Sequence, residues 1–105
     1  MLKVGLVQMA MSPEVSDNLE KAVRMSEKAA SQGADVICLP ELFITPYFPR
    51  EEDPEGKRER GSFLSTIPGL VTETLSDLAR RTGALIIGGS IYEAAEDGLF
   101  NTATV

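Results

Sequence analysis

The 105-residue chain has no histidine, no tryptophan and a single cysteine, Cys38. Without histidine, neither a Ser-His-Asp nor a Cys-His nucleophile pair can be assembled within it. A histidine-based zinc site is excluded too, and one thiol is no substitute. A lone cysteine rules out an internal disulfide and fits a reducing compartment. Proton transfer here must therefore use Glu, Asp, Lys, Tyr or Cys. Two nucleotide signatures are missing, the G-x-G-x-x-G turn and the phosphate loop with its Gly-Lys-Ser/Thr. No metal or organic cofactor is expected. Basic residues are outnumbered, 10 against 16 acidic, for a formal net charge of -6. With no basic patch interleaved with aromatics, that balance argues against nucleic acid or an anionic membrane as partner. Long apolar runs are also missing. The apolar run within the opening "MLKVGLVQMAMS" is shorter than a signal-peptide core of about 7–15 apolar residues, and nothing approaches the roughly 20 of a membrane span. A cytoplasmic protein is expected.

What is present is ordinary globular composition, 43% hydrophobic and 25% charged, at a length suited to one domain over residues 1–105. "KVGLVQM", 3–9, reads as a buried strand. Asp17 is placed to cap a helix, with Glu20 as its capping-box partner. Leu19, Ala22, Val23, Ser26, Ala29 and Ala30 follow the spacing of one helix face, and Gly33 suits the C′ position. "ADVICLP" is a second strand, apolar on both parities as when both faces are covered. Strand, helix and strand with short connections make a βαβ unit, so these strands should be parallel. The proline-rich, charged stretch from Thr45 to Ser62 reads as a long exposed loop. The run Arg50–Arg60 within it is either a solvated segment or a flap. Val71, Leu75, Leu78 and Ala79 form the stripe of a second helix ending at Gly83. "ALIIGGSIYEA" reads as a third strand, "EDG" as a turn and "LFNTATV" as a fourth strand. Together they suggest one open sheet, with an edge left unpaired.

The stretch "DVICLPELF" holds the strongest candidate for chemistry. In open α/β sheets, sites gather beyond the carboxyl ends of strands. Pro40 cannot extend a ladder, so the strand ends there and Glu41 follows at its tip. Glu41 is either a solvated strand-end carboxylate or a positioned acid or base. Leu42 and Phe43 would wall it with apolar surface, which tunes a carboxylate toward base work. Cys38 lies at opposite parity to Glu41 and between Ile37 and Leu39, a setting for a packing cysteine rather than a thiolate. "GGSIY" lacks the final glycine of a nucleophile elbow, and no histidine could activate Ser90. Its glycines are read as allowing close strand packing. Tyr47 and Phe48, between the strand end and the charged loop, are candidates to line a pocket mouth.

Taken in order, "KVGLVQM", "NLEKA", "ADVICLPELF", "IPG", "GALIIGGSIYE" and "FNTATV" resemble the N-terminal part of the carbon-nitrogen hydrolases, the nitrilase superfamily. The resemblance covers essentially the whole chain. It implies an α/β fold, the N-terminal portion of a four-layer α-β-β-α sandwich incomplete at 105 residues, whose subunits pair through helices into a homo-oligomer. It also implies a glutamate, lysine and cysteine triad acting on a small-molecule amide or N-carbamoyl amine. The glutamate carries over to Glu41 as general base. The cysteine would form a thioester, and the lysine would steady the tetrahedral oxyanion. Both are expected after the stretch that "FNTATV" resembles. Lys57 and Cys38 do not match those positions, so residues 1–105 alone are expected to be inactive. "ELFITPYF" resembles the branch that cleaves N-carbamoyl amines, such as N-carbamoylputrescine amidases, although amidases acting on ω-amides share much of it. Tyr47 and Phe48 would border the substrate. The competing expectation is a non-catalytic module that binds or oligomerises.

Overall fold

The computed structural model describes residues 1–50 and 61–105. Residues 51–60, with Lys57 and nearly all of the charged run read as a flap, lie outside the described residues. The elements run β1 (Val4–Leu6), α1 (Val15–Ser31), β2 (Val36–Cys38), two short 3₁₀ turns (Phe48–Arg50 and Gly61–Phe63), β3 (Leu64–Ser65), α2 (Leu70–Thr82), β4 (Leu85–Ile87), β5 (Ile91–Ala95) and β6 (Gly98–Thr102).

β1, β2 and β4 form a parallel sheet in that spatial order, with Gly5 beside Ile37 and Ile37 beside Ile86. Parallel pairing follows from the helical crossovers, α1 between β1 and β2 and α2 between β2 and β4. The sheet's inward face carries Gly5, Ile37 and Ile86. A Cβ on Gly5 would stand 3.0 Å from the Ala29 Cβ, so this glycine lets α1 lie close on the sheet. Val71, Leu75 and Leu78 of α2 join Leu19 and Ala22 of α1, Ile37, Phe43 and Ile44 in one core. Each fully buried large apolar side chain there contributes about 1.5–3 kcal/mol.

The opposite face departs from the expectation of two covered faces. Val4, Leu6 and Leu85 are exposed, and Val36, Cys38 and Ile87 are half-buried. Cys38 is accordingly not a core residue, although parity does set it opposite Ile37 as expected.

Two further expectations are corrected. α1 begins at Val15, with Glu14 at the N-cap, so Asp17 lies in the first turn rather than capping it. There its charge is favourable toward the helix dipole. The cause is Asn18. Its buried side chain holds the Ser12 backbone and starts the helix early. The stretch 84–94 is two strands, not one. β4 belongs to the first sheet, whereas β5 lies in a second sheet, ordered β3-β5-β6. β5 and β6 form an antiparallel hairpin closed around Glu96 and Asp97, with Ala95 opposite Gly98 and Tyr92 opposite Asn101. Both helix ends fall at the expected glycines, Gly33 at φ 92° and Gly83 at φ 71°.

Candidate active site

Glu41 stands just past β2, the central strand of the parallel sheet, at its carboxyl end. Its side chain is exposed. The apolar walls expected from its neighbours turn inward instead, Leu42 being 2% and Phe43 0% exposed. Among the described residues the carboxylate accepts a hydrogen bond from Asn101, whose Nδ2 lies 2.8 Å from Oε1. Asn101 comes from β6, 60 positions along the chain.

The backbone beneath Glu41 is unusually constrained. Leu42 has φ 49°, the one non-glycine residue among those described with a positive φ. A leucine in this left-handed region costs about 1–2 kcal/mol, so surrounding contacts must impose it. They come from both sides of the turn. Ser90, 6% exposed, accepts the Leu42 N–H on its Oγ at 2.9 Å. Its carbonyl accepts from Phe43 N–H, and its own N–H donates to Pro40 O, each at 3.3 Å. Further along the turn, the Asn18 amide donates to Ile44 O at 2.8 Å. Gly89 makes the Ser90 contacts possible. It sits at φ 52°, and a Cβ there would fall 1.9 Å from Pro40 O. "GGSIY" is therefore a close-packing segment, as read, and it is also the clamp on the Glu41 turn.

Tyr47 and Phe48 part company. Tyr47 is 43% exposed. Phe48 is buried, its ring stacked on Phe63 at 5.9 Å and tilted against Tyr92 at 5.0 Å. Because Tyr92 is the cross-strand partner of Asn101, this aromatic cluster braces the hairpin that presents Asn101 to Glu41. The cleft of about 320 Å³ along α2 and β4, lined by Leu75, Ala79, Ile86 and Thr104 among others, has no contribution from Glu41, Tyr47 or Phe48. Cys38 points its Sγ at its own strand, 3.8 Å from Leu39 O. Among the described residues, no cluster of three His, Cys, Asp or Glu side chains could hold a metal ion, and no helix is long and apolar enough to cross a membrane.

Sequence reasoning singled out Glu41 but not the residues that contact it or its turn here, Asn101, Ser90 and Asn18. Asn101 was legible only as part of "FNTATV". Nothing in its local pattern shows that β6 brings it beside a residue 60 positions earlier.

Known proteins resemble this chain in sequence and in fold. The profile of the carbon-nitrogen hydrolase family matches residues 3–105. The omega-amidase NIT2-B of Xenopus laevis is 39% identical over 103 residues, covering 98% of this chain and 34% of that protein. The omega-amidase NIT2 of Homo sapiens is 35% identical over the same length and coverage. The chain thus spans about a third of the length of these curated relatives. Among solved structures, Nit3 of Saccharomyces cerevisiae, a member of branch 10 of the nitrilase superfamily, superposes with a TM-score of 0.73 at 27% identity. That match covers 97% of this chain and 38% of the other. A carbon-nitrogen hydrolase from Helicobacter pylori G27 shares the fold at a TM-score of 0.70 and 22% identity, over 97% of this chain and 34% of the other.

Proposed function

The chain belongs to the carbon-nitrogen hydrolase family, and on that premise we propose that it contributes the general base, Glu41, to an enzyme that hydrolyses small amides. The observation that carries this reading is the exposed Glu41 carboxylate at the carboxyl end of the central parallel strand, where ligands of open α/β sheets collect. In the proposed cycle Glu41 takes the proton of a thiol as the sulfur attacks the amide carbon. It returns a proton to the departing ammonia, leaving a thioester. It then takes a proton from water, which opens the thioester, releases the acid and restores the thiol. The thiol and the oxyanion-binding lysine are assigned to no residue of 1–105.

Omega-amides are the favoured substrate class, because the Xenopus laevis and Homo sapiens relatives compared above are omega-amidases. The N-carbamoyl alternative rests on "ELFITPYF" alone. Tyr47, exposed beside the Glu41 turn, is proposed to face the substrate, with Phe48 as the buried support behind it. The reading brings with it a cytoplasmic location and a homo-oligomer paired through helices.

The test is hydrolysis by the full-length polypeptide of this reading frame. Omega-amide hydrolysis releases ammonia and a carboxylic acid, whereas N-carbamoyl amines release ammonia, carbon dioxide and the free amine. Ammonia without carbon dioxide, falling at least about 100-fold in Glu41→Gln, is expected. Undiminished turnover in Glu41→Gln removes Glu41 from the chemistry. A folded oligomer with neither activity favours instead a non-catalytic module, a reading to which the exposed Val4, Leu6 and Leu85 face lends support.

A further inference from the structure

We propose that Asn101 is a positioning residue that holds the Glu41 carboxylate in its working orientation. The inference rests on the general-base reading of Glu41. A glutamate side chain turns about three bonds, and an exposed one samples many orientations. A base must instead sit within hydrogen-bond reach of the proton it takes. The 2.8 Å contact from Asn101 Nδ2 to Oε1 selects one orientation and leaves Oε2 to accept the proton.

The chemistry of the donor suits that task. An arginine or lysine would also orient the carboxylate, but its full positive charge would hold the carboxylate ionised and weaken it as a base. A side-chain amide donates without a formal charge and does not ionise near neutral pH. The donor itself is well anchored. Asn101 lies in β6 opposite Tyr92, and the Tyr92 ring packs on the buried Phe48. On the other face of the hairpin, Thr102 Oγ1 donates to Glu93 Oε1 at 2.7 Å. The acceptor is anchored independently, since Ser90 fixes the backbone at Leu42. Two rigid supports from distant parts of the chain thus meet across a single side-chain contact. Both Glu41 and Asn101 are exposed, so the contact fills no core and its loss should be felt in chemistry before stability.

The full-length polypeptide tests this with three measurements. Asn101→Ala should lower kcat about 10- to 100-fold, as loss of an orienting outer-shell partner does, with KM within about threefold and the thermal midpoint nearly unchanged. Asn101→Asp should move the acid limb of the pH–rate profile to higher pH, because two neighbouring carboxylates resist ionising together. A residue that merely supports the fold would leave that limb in place. The third measurement needs no turnover. In ¹⁵N–¹H spectra, the Asn101 side-chain amide signals should follow an acidic titration in the wild type that is missing from Glu41→Gln. Wild-type kcat in Asn101→Ala, an unmoved limb in Asn101→Asp, or amide signals that titrate alike with and without the Glu41 carboxylate would overturn the proposal. If the wild type hydrolyses neither substrate class, the amidase reading fails by itself and the spectra alone decide the Asn101–Glu41 contact.

Discussion

The backbone N–H of Leu42 donates to the side-chain oxygen of Ser90 at 2.9 Å, across 48 positions of sequence. This bond ties a strained residue next to Glu41 to the point where the chain passes from the first sheet to the second. Ser90→Ala leaves the Leu42 N–H buried without its acceptor, a loss of about 1–3 kcal/mol. It should also release the φ 49° conformation and displace Glu41. Urea denaturation of the full-length protein should give a lower midpoint, and amide turnover should fall even at temperatures where the variant stays folded. An unchanged midpoint would show that the bond contributes nothing.

Glycines 89 and 83 both have positive φ, 52° and 71°, yet alanine should affect them differently. At Gly83 a Cβ meets nothing within 4 Å, so Gly83→Ala costs only the left-handed penalty of about 1–2 kcal/mol. At Gly89 the Cβ would fall 1.9 Å from Pro40 O and 2.7 Å from Leu39 O, backbone atoms that cannot turn aside. Gly89→Ala adds overpacking to the same penalty, for a total of about 2–5 kcal/mol. Thermal melts of the two variants, side by side, should show the larger loss at Gly89. Equal losses would contradict this packing.

Much of the frame was legible because it follows from local pattern. The 3-and-4 spacing of Leu19, Ala22 and Ser26, and of Val71, Leu75 and Leu78, produced two helices buried on those residues. β2 ended at Cys38, two residues short of Pro40, which has no N–H to carry the ladder further toward Glu41. The errors occur where a distant residue decides. "ALIIGGSIYEA" has no proline, its one charge, Glu93, falls beyond the break, and the approach of Pro40 O to Gly89 marks where it splits. Asp17 looked like a cap because its spacing to Glu20 was right, but the Asn18 side chain secured the Ser12 loop first. Asn101 beside Glu41 is a tertiary relationship between two exposed polar residues, and hydrophobic periodicity carries no information about it.

On the helical face, Arg81 bridges α1 and α2. It donates to Glu27 at 2.6 Å and to Asp77 at 2.8 Å. Hydrogen bonds from Arg81, and then Arg80, hold the Asp77 carboxyl below its ordinary value of 3.8. A carboxyl depressed in the folded state stabilises the fold above its unfolded value, and that contribution is lost as pH falls through the folded one. The stability difference between wild type and Asp77→Asn should therefore be constant above about pH 5 and shrink below pH 3.8. These groups are exposed, so the difference should be small and should fade in 1 M salt. A difference that persists at pH 2 and high salt would locate the effect elsewhere than in this ion pair.

Asn18 offers the sharpest pH test, because it is 0% exposed and faces two acceptors. Its Nδ2 donates to Ser12 O at 2.6 Å and to Ile44 O at 2.8 Å, while its Oδ1 accepts from Ser12 N–H at 2.8 Å. Asn18→Asp keeps the size but replaces the two-hydrogen donor with a carboxyl. Ionised, that carboxyl is a buried charge turned toward two carbonyl oxygens, a loss of about 3–5 kcal/mol. Protonated, it can still donate to one of them. The folded state therefore holds the proton more tightly than the unfolded chain, whose ordinary value is about 3.9. Linkage then requires the destabilisation to be least below about pH 4 and to grow as pH rises. Asn18→Ala removes the same donors without adding a charge, so its loss should not vary with pH. Urea midpoints of both variants, each taken relative to wild type between pH 4 and 7, should diverge as pH rises. Parallel curves would mean that the Asn18 side chain does not face the Ser12 and Ile44 carbonyls, and the anchor assigned to the far side of the Glu41 turn would be lost.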